Sequence, residues 1–139
     1  MTNYLLVKAI QTFLEKELAD DAAIFPAVHI GALPTEPQEP AYPFIIIRPE
    51  EGEGNKDNIM TKIKLLFGTM TEEGSGLLDL LSLMERVRIL LMRKRIIAKQ
   101  FAIDDSWKWK LSEDQSLPEW TGEVTTTWAL PQIRQEVEL

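Results

Sequence analysis

The sequence predicts an α+β fold: a four-stranded, mainly antiparallel sheet with a long central helix and an N-terminal helix packed on one face. Three observations predict this fold. The stretch from Gly76 to Ile97 has apolar residues at helical spacing. One pair of alternating or apolar strand patterns precedes this stretch, and a second pair follows it. The order hairpin, helix, hairpin is typical of helices packed on a sheet.

The length and composition are those of one ordinary domain. The chain has 139 residues, and we expect a single domain over residues 1–139. The absence of cysteine excludes disulfides and thiolate metal sites. The net charge of -7 disfavours tight binding of nucleic acid, because Lys and Arg supply that affinity. No apolar run reaches the roughly 18 residues of a membrane span. The N-terminus lacks the pattern of a signal peptide, so we expect a soluble, cytoplasmic protein.

The first third of the chain predicts a helix and a long connector. Tyr4 to Ala19 has apolar residues on one helical face and polar residues on the other. The connector that follows contains a possible short strand at Val28 to Ile30. Prolines are frequent from Pro34 to Pro43, and they hold the backbone extended and remove hydrogen-bond donors. We therefore expect a proline-rich strap on the surface over residues 31–43.

The first hairpin is predicted just before the central helix. Phe44 to Arg48 is a short apolar run followed by Pro49, which favours a buried strand. Asn58 to Phe67 alternates between apolar and polar residues, as a strand with one buried face does. The glycines and acids between these runs predict a hairpin loop from Glu50 to Asp57.

The central helix has more apolar residues than one sheet face can cover. The predicted sheet-facing side consists of Leu77, Leu80, Leu81, Met84, Val87 and Leu91. Arg88 falls inside this stripe, so we expect it to extend past the sheet or to pair with a buried acid. Three further apolar residues, Leu78, Ile89 and Met92, have no partner in the predicted fold. We predict that they form a subunit interface.

The second hairpin is predicted after the helix. Residues 98–106 are predicted to be a connector. Trp107 to Leu111 and Trp120 to Leu130 both alternate, and Ser112 to Pro118 is predicted to be the loop between them. The four tryptophans are interpreted as residues of the core and of the sheet faces.

No set of residues predicts catalysis or a cofactor site. His29 is the only histidine and has no nearby nucleophile, so it is interpreted as structural or exposed. The acids of the first predicted loop could hold a hard cation, but they lack the spacing of a calcium loop. The short glycine motifs GEG and GSG lack the lysine and the spacing of a phosphate cradle. We expect no catalytic residue, no metal and no cofactor.

Four segments carry a resemblance to a known family. In order they are YPFIIIRPEEGE, KIKLLFGTMTEEG, GLLDLLSLMERVRILLMRKRII and WKWKLSEDQSLPEWTGEVTTTWALP. Together they resemble the small tail-terminator or tail-completion proteins of phages and of prophages in Gram-positive bacteria. That family is related in fold to the minor tail proteins that cap the tail tubes of long-tailed phages. The resemblance covers roughly Tyr42 to Pro131, and it rests on no chemical motif.

The resemblance implies a structural role in virion assembly. It implies an α+β fold and a homo-oligomeric ring, commonly a hexamer, which ends tail-tube polymerisation and forms the surface to which the head docks. The implied partners are the tail tube protein and the head-tail connector protein. DNA would pass through the bore of the ring without specific binding, because an acidic wall repels it. The implied locations are the host cytoplasm during assembly and the virion tail.

The loops at the ends of the predicted strands are the expected docking sites in such a ring. Loops that have no part in the core are free to contact axial neighbours. The residues predicted to do so are Glu50, Glu51, Glu53, Asp57, Glu113 and Asp114. Two alternatives stay open: a head-to-tail connector adaptor, and a small-ligand-binding α+β domain, which would need a deep pocket with a perturbed acid.

Overall fold

The computed structural model describes residues 2–19, 26–36, 40–55, 59–71 and 74–131. In this part of the chain the elements are α1 (Thr2–Ala19), β1 (Ala27–Ile30), β2 (Phe44–Gly54), β3 (Ile59–Met70), α2 (Gly76–Lys94), β4 (Ile96–Ile97), β5 (Phe101–Ile103), β6 (Lys108–Leu111) and β7 (Glu119–Leu130). The described residues of the strap, 31–36 and 40–43, form no helix or strand, and residues 37–39 lie outside the described part.

The fold is α+β, as predicted, but the sheet is larger than predicted. Among the described residues, seven strands form one mixed sheet in the order β1-β2-β3-β7-β5-β4, and β6 also pairs with β7. Strand β1 lies parallel to β2, whereas the other pairs are antiparallel. The four-stranded antiparallel sheet was therefore wrong. Residues 98–106 were predicted to be a connector, yet they contain β5, which has three residues and is too short to show alternation.

The centre of the sheet is the long antiparallel pair of β3 and β7. Its register runs from Ile59 opposite Leu130 to Met70 opposite Glu119. One face of this pair is buried under the helices, because every second side chain belongs to the core. The buried side chains are Thr61, Ile63, Leu65, Phe67, Thr69, Val124, Thr126, Trp128 and Leu130. The predicted alternation of both strands is confirmed.

Helix α2 is shorter than predicted and is rotated about its axis. It ends at Lys94, and Arg95 follows with φ 66° and donates its backbone N–H to the Leu91 carbonyl at 2.8 Å. Leu83 is buried, whereas Leu81, which was predicted to face the sheet, is 37% exposed. At about 100° per residue, Leu81 and Arg88 lie on the same flank of the helix. A single rotation of the helix relative to the predicted orientation therefore moves both side chains away from the sheet.

The prediction for Arg88 was therefore wrong as well. Its guanidinium lies at the surface, 3.3 Å from the carboxylate of Glu85 one turn earlier. It neither extends past the sheet nor pairs with a buried acid.

Two glycines leave room for aromatic side chains that pack directly against the backbone. Gly68 lies opposite Phe44 in the β2–β3 register, and a Cβ at this position would overlap the Phe44 ring. Gly76 begins α2, and a Cβ there would come within 2.7 Å of the Trp120 ring. The absence of a side chain at Gly68 therefore makes room for the Phe44 ring in the β2–β3 pair.

A buried hydrogen-bond relay crosses from β7 to β3. Trp128 is 1% exposed, and its Nε1 donates to Thr126 Oγ1 at 2.9 Å. The same hydroxyl donates to the Ile63 carbonyl at 2.8 Å. The threonine hydroxyl thus satisfies an indole N–H that has no access to water.

Replacing Thr126 by valine should destabilise the fold by about 1–3 kcal/mol. The shape is kept, but the buried indole N–H of Trp128 loses its acceptor. Urea unfolding followed by tryptophan fluorescence measures the loss. Thr127→Val, at the neighbouring half-buried position on the opposite sheet face, is the matched control, and equal losses for the two variants would contradict the relay.

Candidate subunit interface and charged sheet face

The outer side of α2 carries exposed apolar residues. Leu78 is 69% exposed and Ile89 is 43% exposed. Met92 is half-buried, packs against the core and accepts a contact from Arg95 Nη1 at 3.3 Å. The structure thus places two of the three residues of the predicted interface outward and the third at the margin of the core. Their role in subunit contact stays a prediction.

Two further apolar residues extend this outer side, and the sequence did not point to them. Leu81 is exposed on α2, and Trp109 on β6 is 57% exposed. Both line one cleft of about 650 Å³ between the helix and β6. The remaining lining residues are Met84, Glu85, Arg88, Asp105 and Trp107. Trp109 lies on the helix-facing side of β6 and is therefore a sheet-face residue, as interpreted, but β6 lies at an edge of the sheet and leaves the Trp109 ring exposed.

The predicted loop from Glu50 to Asp57 is mostly strand. Strand β2 runs to Gly54, and it pairs with β3 beyond a bulge between Pro49 and Glu51. Glu50, Glu51 and Glu53 therefore lie in a strand rather than in a hairpin loop, and that prediction was wrong. The β2–β3 register places these acids beside lysines of β3. The sequence of β2 alone does not show that pairing. Asp57 lies outside the described residues.

The sheet face opposite the helices is covered by ion pairs. Lys62 Nζ lies 3.0 Å from Glu51, and Lys64 Nζ lies 3.1 Å from Glu50 and 3.4 Å from Glu123. Glu123 also contacts Lys110 Nζ at 3.1 Å. These residues line an open cleft of about 780 Å³ together with Ser106, Trp107, Lys108, Trp109, Thr125 and Thr127.

The ion pairs shift the protonation of their members. Burial alone would raise the pKa of the Glu123 carboxyl, but the hydrogen bond from Lys110 and the charge of Lys64 outweigh it, so the pKa lies below its usual range. The hydrogen bond to Glu50 raises the pKa of the Lys64 amine. Both shifts favour the charged forms of Glu123 and Lys64 near pH 7, as expected for members of an ion-paired surface.

The second predicted loop, from Ser112 to Pro118, is confirmed as a loop. Gln115 holds it in place: its Nε2 donates to the Ser112 and Thr121 carbonyls at 2.9 Å, and the Thr121 N–H donates to its Oε1 at 2.8 Å. Glu113 and Asp114 project from this braced loop and are exposed. Their docking role stays a prediction.

The other candidate residues form no recognisable reaction centre. His29 lies half-buried on β1. In the described ranges, no three His, Cys, Asp or Glu side chains are grouped closely enough to hold a metal ion. Neither helix of the described chain has the length and apolar composition required to cross a membrane.

No family model matches this chain, and no curated protein matches it either.

Replacing Glu123 by glutamine should lower the stability at pH 7 by about 0.5–1 kcal/mol, because Lys64 and Lys110 lose a shared partner. The pKa of Glu123 is lower in the folded state than its ordinary 4.5, so this stabilisation is present above pH 4.5 and disappears as the pH falls through the folded pKa.

Urea unfolding of both proteins at pH 7 and at pH 3 checks this prediction. The difference between wild type and variant should be smaller at pH 3 than at pH 7, and it should shrink in 1 M salt. Glu113→Gln, in the exposed loop, is the control and should change neither value. A difference that persists unchanged at pH 3 would contradict the assignment to charge pairing.

Proposed function

We propose that this chain is a structural assembly protein of a phage or prophage tail. It forms a homo-oligomeric ring, commonly a hexamer in the family it resembles, on the end of the tail tube. The ring ends polymerisation of the tube and provides the surface to which the head docks. Its partners are further copies of itself, the tail tube protein and the head-tail connector protein.

The observation that carries the proposal is the exposed apolar side of α2. Leu78, Leu81 and Ile89 are exposed on the longest helix, and Trp109 joins Leu81 at the same cleft. Large apolar side chains that share one surface typically mark a contact with another protein. Six such chains close a ring when this surface meets a different surface of the next copy.

The charge distribution suits a ring through which DNA moves. Each chain has a net charge of -7. Three lysines on the outer sheet face are matched by acids: Lys62, Lys64 and Lys110 each contact a glutamate within 3.5 Å. A surface whose lysines are already paired offers few free cations to phosphate groups, so DNA would slide past it rather than bind.

In this proposal the second loop, Ser112 to Pro118, contacts the neighbouring protein along the tail axis. Glu113 and Asp114 are exposed on a loop that Gln115 braces, so the acids are presented at a fixed place without any part in the core. Glu50 and Glu51 are less suited to this role, because each already pairs with a lysine of β3. The chain acts by offering surfaces, and we assign it no catalytic residue.

Leu78→Glu and Ile89→Glu should convert the ring to monomers, because each variant buries a charge in the subunit contact. Light scattering after size-exclusion chromatography measures the mass, and the association should weaken at least tenfold. Both side chains are exposed, so the free energy of unfolding of the monomer should change by less than about 0.5 kcal/mol.

The function itself is tested with tail tube subunits from the same phage or prophage. The wild-type chain should limit the length of tubes assembled in vitro, and Leu78→Glu should not. Leu5→Glu is the matched control, because Leu5 is also an exposed leucine (46%) but lies on α1, outside both α2 and the second loop. Tubes that grow unchecked in the presence of wild-type chain would refute the proposal.

A further inference from the structure

The outer edge of β6 is open in the described part of the chain. Strand β6 pairs only with β7 there, and the Ser112 N–H donates to the Thr121 carbonyl at 3.1 Å just beyond the strand. Backbone hydrogen bonds alternate along an antiparallel pair. In this register the backbone groups of Trp109 and Leu111 point away from β7. An edge of this kind is a template for one more strand.

The two faces of β6 differ in chemistry. On the side of α2, Trp109 is 57% exposed above the cleft that it shares with Leu81. On the other side, Lys108 and Lys110 are exposed, and the Lys110 side chain keeps 73% of its surface in solvent although it contacts Glu123. Lysines on an edge discourage pairing with an arbitrary strand. They favour a strand whose neighbouring residues are acids.

The segment after Pro131 has the complementary pattern. Residues 132–139, QIRQEVEL, lie outside the described part of the chain. Their sequence places Ile133, Val137 and Leu139 on one alternation and Arg134, Glu136 and Glu138 on the other. This is the pattern of a strand with one apolar and one charged face.

Three residues of this segment complement three residues of β6. A strand laid beside β6 with Val137 next to Trp109 brings a glutamate next to each flanking lysine. The triplets Glu136 to Glu138 and Lys108 to Lys110 are both symmetric, so the match holds in either strand direction. Opposite-charge neighbours and an apolar pair with an aromatic ring each stabilise a strand pair by about 0.2–1 kcal/mol.

We propose that residues 132–139 of one copy add as a strand to the open edge of β6 in a neighbouring copy. The inference rests on the self-association in the proposed function and deepens it, because it adds a second contact between copies beside that of the outer side of α2, and assembly needs both. Each copy gives one segment and offers one edge. Contacts of this head-to-tail type close into a ring when the rotation between copies allows it.

For one copy, the β6 edge lies near the limit of what its own segment can reach. The edge of β6 lies beside residues 122–125 of β7, about 20 Å along the strand from Leu130. Strand β5 occupies the side of β7 in between, where Ala102 lies opposite Ala129. Val137 is seven residues past Leu130 and reaches at most about 23 Å, on a straight path that β5 blocks. We therefore take the donor to be another copy, and a mixture that stays monomeric in the experiment below would contradict it.

Mixing two complementary variants tests this exchange. The first variant stops after Pro131 and keeps the β6 edge. The second carries Lys108→Glu and Lys110→Glu and keeps the segment. Each alone should be monomeric by light scattering, and an equimolar mixture should form a two-chain complex, because one intact edge meets one intact segment. A third variant, which adds Glu136→Lys and Glu138→Lys to the second, should regain full assembly, and it shows that the lysine changes leave the fold intact.

A peptide experiment isolates the contact. The synthetic peptide QIRQEVEL, titrated into the variant that stops after Pro131, should shift the fluorescence of Trp109 to the blue and slow hydrogen exchange at the Trp109 and Leu111 amides at least tenfold. A peptide of the same composition in scrambled order should do neither. Mixing that yields no complex, together with a peptide that leaves both amides unprotected, would overturn the proposal.

The outcomes separate this inference from the proposed function. If the variant that stops after Pro131 still forms rings that limit tube growth, the strand exchange is wrong and the proposed function stands. If the exchange occurs but tubes grow unchecked, the proposed function is wrong and the exchange stands.

Discussion

The pairing of β3 with β7 is the constraint on which the rest of the molecule depends. Twelve residues of each strand are in register, from Ile59 opposite Leu130 to Met70 opposite Glu119. Because side chains alternate, this pairing fixes one face that must be buried and one face that must be wet. A shift of one residue would move Trp128 into water and Glu123 into the core, so the register is held by burial as well as by hydrogen bonds.

The two faces of this strand pair are covered in different ways. The helices cover the apolar face, but α2 offers more apolar surface than the sheet accepts, and Leu78, Leu81 and Ile89 remain exposed. On the polar face Lys64 and Glu123 form an ion pair with each other. In the described part of the chain, the outer side of α2 and the edge of β6 are the two surfaces on which the proposed assembly rests.

The sequence predicted the elements with strong periodicity and missed those decided by tertiary packing. The alternation of β3 and β7 and the long helix between them were correct, because their patterns extend over many residues. Strands β4 and β5 have two and three residues, and these runs are too short to show the alternation of apolar and polar residues that identifies a strand. Leu81 and Leu83 flank the same stripe of α2, and only the position of the sheet decides which of two leucines turns inward. The acids Glu50 and Glu51 looked like a solvated loop because their lysine partners lie on another strand.

The candidate interface was predictable in part for the same reason. An apolar residue without a partner, such as Leu78 or Ile89, can be read from helical spacing. The exposure of Trp109 cannot, because it depends on β6 being an edge strand, which is a property of strand order. The complementarity between β6 and residues 132–139 emerged only once that edge was known.

Electron microscopy of the purified chain tests the assembly most directly. We expect particles of uniform size with a central hole and a mass that is a fixed multiple of the 15.9 kDa chain. A field of compact particles of single-chain mass, at a concentration where the chain still limits the growth of tail tubes, would contradict it.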